Sequence, residues 1–170
     1  MAERTVKIGS AGKIFGLTGW KIGWLCAAPP LAAGLARAHQ FLTFTTAPAL
    51  QWAVAEGLAL PDGWFVDRTA RWAASRRRLC AGLRASGYAV LDNAATWFVC
   101  VDLAESGISL GDRAFSTRAA QEAGVASIPV SALFEGPGAS ETVVRFCFTK
   151  GDAVIDAAVE RLEAFRRAVL

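Results

Sequence analysis

The chain has 170 residues, 54% of them hydrophobic and 19% charged. That balance excludes a disordered chain and is enough for a sizeable core. The net charge of +3, from 18 basic and 15 acidic residues, is too mild to imply nucleic acid, and a single histidine, His39, argues against a multi-histidine metal site.

Residues 4–9 (RTVKIG) alternate and carry β-branched side chains, which predicts a strand. It runs into a glycine-rich segment, and residues 22–27 (IGWLCA) predict a second short strand. Pro29 and Pro30 open a helix reaching about Phe41, with Pro30 suited to the first turn. Another helix starts near Thr46, with Thr46 as cap and Pro48 in the first turn. Residues 62–86 read as a long helix ended by Gly87. Its dense basic run, Arg76-Arg77-Arg78, reads as a solvated helix face. YAVL (88–91) and ATWFVCVDL (95–103) predict strands separated by a turn at Asp92-Asn93. An amphipathic helix follows over 111–124, then a short strand ended by Pro129, a strand over 142–149 and a last helix from Asp152. That helix places Ile155, Ala158, Val159, Leu162, Phe165 and Val169 on one face.

This order predicts an α/β unit followed by an α+β unit, with the boundary near residues 57–63. The most apolar run, residues 25–36, is short and broken by prolines, so no transmembrane helix is predicted. The N-terminus lacks a signal-peptide layout, and Cys26, Cys80, Cys100 and Cys147 form no paired spacing. They are expected to be reduced thiols in a cytoplasmic protein.

The segment GSAGKIFGLTGWKIGW (9–24) carries Lys13 and Lys21 among glycines and apolar residues. A P-loop would need Ser or Thr after Gly12-Lys13, where Ile14 stands, and a glycine at position 7, where lysine stands. A dinucleotide fingerprint fails on glycine spacing. The remaining phosphate-binding reading is a pyridoxal phosphate lysine, which needs one amine to form an imine and other groups to hold the phosphate.

SAGKIFGLTGWKIGW resembles the cofactor-lysine segment of class I/II aminotransferases, and within them the kynurenine, methionine and glutamine aminotransferase-like branch. The resemblance implies a fold type I pyridoxal-phosphate transferase. Lys13 would be the Schiff-base residue, Ser10 a donor to the cofactor phosphate and Lys21 the cation that also binds it. Lys13 is expected to be partly desolvated, and Gly9, Gly12, Gly16 and Gly19 to let the backbone approach the cofactor.

Arg145 lies in VVRFCFT, where alternation sets Val144, Phe146 and Phe148 on one face and Arg145 with Val143 and Cys147 on the other. Its planar fork suits a carboxylate. In the resembled family a C-terminal strand carries the arginine that clamps the substrate α-carboxylate, and residues 143–162 match that context. Residues 38–58 resemble the helix-loop-helix after the lysine, whose loop reaches the neighbouring subunit's site; Phe44 would line that pocket or serve as an interface or core residue. IPVSALFEGP (128–137) resembles the segment closing the small domain, with no chemistry assigned.

The resemblance covers the C-terminal half of the family. It implies residues 1–60 as the remnant of the large cofactor-binding domain and 61–170 as the small domain with a long connecting helix. The expected chemistry is transamination between an amino acid and a 2-oxo acid, in a homodimer, through a truncated or split chain. The alternatives are an inactive fragment, a half working only with a separate N-terminal half, or a pyridoxal-phosphate-dependent β-lyase. Apolar surface is expected to be exposed near the first strand.

Overall fold

Alternation at residues 6–10 produces β1 (Val6–Ser10), which pairs antiparallel with β2 (Gly23–Ala27) from Val6↔Ala27 to Ser10↔Gly23. The computed structural model describes residues 1–136 and 140–170; Pro137, the last residue of IPVSALFEGP, lies outside the described residues. Between the two strands stand the single turn α1 (Ala11–Ile14) and a 3-10 turn, Thr18–Trp20. α2 (Pro29–Leu42) and α3 (Pro48–Leu58) each start with proline in the first turn, where the missing N–H costs nothing. Thr46 is not the cap of α3. The capping position is Ala47, and the Thr46 carbonyl instead accepts a hydrogen bond from Gln51 Nε2 at 2.7 Å.

The chain divides into two units, Met1–Trp64 and Phe65–Leu170, and the division falls in the first turn of α4 (Asp62–Ala85). In the first unit the buried apolar cluster is Ala11, Ile22 and Val54, flanked by Phe15, Trp24 and Leu50. α2 buries none of its residues. On β1 itself Ile8 is exposed, as expected near the first strand, and Phe41, Leu42 and Trp52 of α2 and α3 are exposed as well.

The second unit is a two-layer α+β structure. Its sheet has the order β3 (Ala89–Val90), β4 (Phe98–Asp102), β6 (Val143–Cys147), β5 (Ile128–Pro129), all antiparallel. Val99, Val101, Val144 and Phe146 point from the sheet into a core completed by Leu79 and Leu83 of α4, Phe115 of α5 (Asp112–Arg118), and Ile155, Leu162 and Phe165 of α6 (Asp152–Val169). Phe115 meets Phe165 edge to face at 5.4 Å between centroids. The buried Tyr88 hydroxyl donates to the Leu162 carbonyl at 2.8 Å, and burial raises its phenol above the ordinary value.

β3 and β5 are shorter than their apolar runs. After β3, Asn93 Nδ2 donates to the carbonyls of Ala95 and Phe98 and so fixes a loop. β5 ends at Pro129, whose nitrogen carries no proton, and a 3-10 turn over Val130–Leu133 follows. The helix predicted over 111–124 is α5 continued by a π-helical turn, Ala119–Ala123, and Gly124 ends it at φ +65°.

Asp112 is 1% exposed. Its carboxylate accepts from the Ser131 N–H at 2.8 Å and the Ser131 hydroxyl at 2.9 Å, tying α5 to the turn after β5. Asp112→Ala leaves both donors buried without partners and should cost about 2–3 kcal/mol in chemical denaturation. On the surface, Arg78 grips Asp156 through two hydrogen bonds of 2.6 Å and joins α4 to α6. That hydrogen bond and the adjacent positive charge hold the Asp156 carboxyl below its ordinary value. The contribution is therefore present above the ordinary carboxylate range and lost as pH falls through the depressed value. In acid denaturation, Asp156→Asn should remove this part of the pH dependence.

Candidate active site

The β1–β2 ladder closes residues 11–22 into one loop. Ser10 ends β1 opposite Gly23, and the ladder continues with the Ala11 N–H donating to the Ile22 carbonyl at 3.1 Å. Ser10 and Lys21 therefore stand at the same mouth of the loop, and Lys13 lies in the single turn that leaves it. Inside the loop, Thr18 Oγ1 donates to the Gly12 carbonyl at 3.2 Å. A Cβ on Gly12 would stand 2.9 Å from the Thr18 Cα, and a Cβ on Gly9 would strike the Trp24 ring at 2.3 Å. Both glycines are therefore required by contacts within the chain itself. Gly16 turns the backbone at φ +73°.

Ile22 is buried and anchors the loop, while Trp20 is 42% exposed. Ser10, Lys13 and Lys21 are exposed, and none of the three side chains has a hydrogen bond or ion pair among the described residues. The expected desolvation of Lys13 is absent, because the small cluster beneath α1 buries Ala11 and Gly12 but leaves the lysine side chain uncovered.

Lys21 has φ 55° and ψ 38°, the left-handed conformation. That costs an L residue about 1–2 kcal/mol. Among the described residues, positive φ at a non-glycine occurs at Lys21, Phe44 and Thr96. Two of these were singled out on the sequence. Phe44 is 75% exposed, so it is not a core residue of this chain.

Arg145 lies in the second unit, on β6 between β4 and β5, opposite Cys100 on one side and Ile128 on the other. Val144, Phe146 and Phe148 are buried behind it, as the alternation predicts. The guanidinium carbon lies 3.9 Å from the centroid of the Phe98 ring. Arg145 Nε is buried without a hydrogen-bond partner, and no carboxylate pairs with the side chain among the described residues. Arg78, Arg84, Arg118 and Arg167 are all paired with carboxylates. Arg145 and Phe98 line a cavity of about 640 Å³ with an apolar wall that includes Ile128, Val154 and Ala158; its charged lining residues are all cations, namely Arg145, Lys150 and Arg161. The sequence reading missed Phe98. Alternation would place it on one face of its strand, but only the pairing of β4 with β6 sets that face against Arg145.

Among the described residues no helix is long and apolar enough to cross a membrane. The profile of the aminotransferase class I and II family matches residues 2–162. The chain is 40% identical to a probable N-succinyldiaminopimelate aminotransferase of Mycobacterium tuberculosis, over 95% of this chain and 43% of that protein. It is 34% identical to a methionine aminotransferase of Escherichia coli, over 95% of this chain and 42% of the other. The solved structure of the M. tuberculosis N-succinyldiaminopimelate aminotransferase superposes with a TM-score of 0.89 over 96% of this chain and 42% of its own. The chain thus spans less than half the length of these relatives. Its sequence match and its fold agree that it belongs to the class I and II aminotransferases, a family generally dependent on pyridoxal phosphate.

Proposed function

We propose that this chain is the part of a pyridoxal-phosphate-dependent transaminase that carries the cofactor lysine and the substrate-carboxylate arginine. The observation that carries the reading is the closed loop from Ser10 to Lys21, which presents a hydroxyl and two amines with no protein partner among the described residues. A left-handed lysine supports it further, since a turn alone would be served at lower cost by glycine. The donor set fits the cofactor: a hydroxyl and an ammonium for a phosphate dianion, and an amine for an aldehyde.

When bound, pyridoxal phosphate supplies an aldehyde that a lysine can hold and a ring that withdraws electrons from the substrate Cα. Ser10 would donate its hydroxyl to the phosphate, and Lys21 would act on it as a point charge. Lys13 Nζ would hold the group covalently and, when free, move the proton at the substrate Cα as general base and then acid. Arg145 would bind the α-carboxylate through its fork and so orient the Cα–H bond. The substrates would be an amino acid and a 2-oxo acid.

The first unit would be the end of the large cofactor-binding domain and the second the small domain. The exposed Phe44 would reach a second subunit of a homodimer. The four free cysteines suit the reducing cytoplasm. One observation favours a second reading, in which the chain acts only with further polypeptide: Lys13 is exposed, and three residues form the buried apolar cluster of the unit beneath it.

The test is amino transfer by the chain with pyridoxal phosphate and, in turn, L-methionine, L-kynurenine and N-succinyl-L,L-diaminopimelate. Transamination predicts a 2-oxo acid product that disappears in Lys13→Ala. With a cysteine S-conjugate as a fourth substrate, release of the thiol, ammonia and pyruvate in place of amino transfer would mean a β-lyase, and no product from the chain alone would mean that it is inactive or needs a second polypeptide. Lys21→Ala should weaken cofactor binding about tenfold, as expected for one hydrogen bond to a charged group. Arg145→Ala should weaken amino-acid binding about tenfold to a hundredfold and leave cofactor binding unchanged.

A further inference from the structure

We propose that Phe98 is a positioning residue for Arg145, holding the guanidinium by its ring face so that no protein acceptor takes up the N–H donors that an incoming carboxylate would use. The proposal rests on the reading of Arg145 as the carboxylate clamp. It begins from a contrast within the molecule. Arg78, Arg84, Arg118 and Arg167 are each held by a carboxylate. Arg76 and Arg166 donate to the backbone carbonyls of Asn93 and Ser106. Arg145 has neither kind of partner among the described residues. It has the Phe98 ring at 3.9 Å from its guanidinium carbon.

This difference has a chemical consequence. A carboxylate holding Arg145 would occupy two of its five donors and oppose the substrate's own carboxylate. A carbonyl would occupy at least one. An aromatic face attracts the cation through its quadrupole and uses no donor. At 3.9 Å the guanidinium carbon lies over the ring, a contact that needs none of the forked donors an anion would use. The buried Arg145 Nε has no protein acceptor among the described residues.

The strand register fixes the arrangement. Phe98 pairs with Cys147 and Cys100 with Arg145, so the ring and the guanidinium are diagonal neighbours on one sheet face. Cys100 and Ile128, the residues directly opposite Arg145, offer no carboxylate or carboxamide to compete. The ring and Arg145 also line the same cavity, where no acidic side chain stands.

The experiment measures pyruvate binding to the chain by NMR, following the Arg145 Nε–H signal, in the wild type and in Phe98→Leu, Phe98→Tyr and Arg145→Ala. Leucine keeps the site apolar and removes the ring; tyrosine keeps the ring. The proposal expects the Arg145 Nε–H signal to lose its ring-current shift in Phe98→Leu and keep it in Phe98→Tyr. It expects pyruvate affinity to fall about three- to tenfold in Phe98→Leu and to be restored in Phe98→Tyr. The ring-current shift reports only that a ring lies against Arg145; a merely structural role would move the denaturation midpoint and leave pyruvate affinity equal in Phe98→Leu and Phe98→Tyr. Unchanged affinity in Phe98→Leu, or equal losses in the two variants, overturns the proposal while Arg145→Ala still shows that the clamp exists. If Arg145→Ala binds pyruvate as the wild type does, the clamp reading fails, and the proposal with it.

Discussion

The ladder between β1 and β2 is the constraint on which the loop of residues 11–22 depends. Five residue pairs, ending at Ser10↔Gly23, force the twelve residues 11–22 to leave and return at one point. Everything unusual about the loop follows from that closure. Gly12 must admit the Thr18 backbone, Gly9 must lie under the Trp24 ring, and Lys21 must turn left-handed before the chain re-enters the sheet at Gly23. A hydroxyl and an amine that are far apart in sequence terms share the loop's mouth because the strands are in this register. A slip of one residue would send alternate side chains to the opposite face and separate them.

The second unit solves a different problem. Among the described residues it carries sixteen buried apolar residues, against three in the first, and its sheet is buried on one face only. The other face is where an arginine can be presented. A buried valine before it and a buried phenylalanine after it pin the strand, so Arg145 can be positioned without an ion pair. An ion pair would fix the side chain more firmly, but it would also consume the donors that make the residue useful. The first unit exposes the amines of Lys13 and Lys21, and the second holds the Arg145 guanidinium over a ring.

Much of this was legible in the sequence because its punctuation is strong. Prolines 29, 30 and 48 mark the first turns of two helices, Gly87 and Gly124 end two others, and period-two alternation around Arg145 predicts its face. The spacing of Ser10, Lys13 and Lys21 was readable from one segment alone. What was not readable depends on pairing and cover. Phe98 meets Arg145 only because β4 lies beside β6, and a strand pattern does not name its partner. That Gly9 and Gly12 also make room for Trp24 and Thr18 is again a tertiary matter. The exposure of Lys13 depends on what lies over it, which no pattern within sixteen residues encodes. Thr46 has the chemistry of a cap but stands one residue too early, and Ala47 takes the position.

The central claim is that, of the chain's amines, Lys13 is the one the fold sets aside for the cofactor. The most direct measurement is to add pyridoxal phosphate, reduce with borohydride and locate the stable adduct by peptide mass spectrometry. The account predicts a label at Lys13 that saturates at one per chain and that free phosphate suppresses by competing for Ser10 and Lys21. A label spread evenly over Lys7, Lys13, Lys21 and Lys150, indifferent to phosphate, would contradict it.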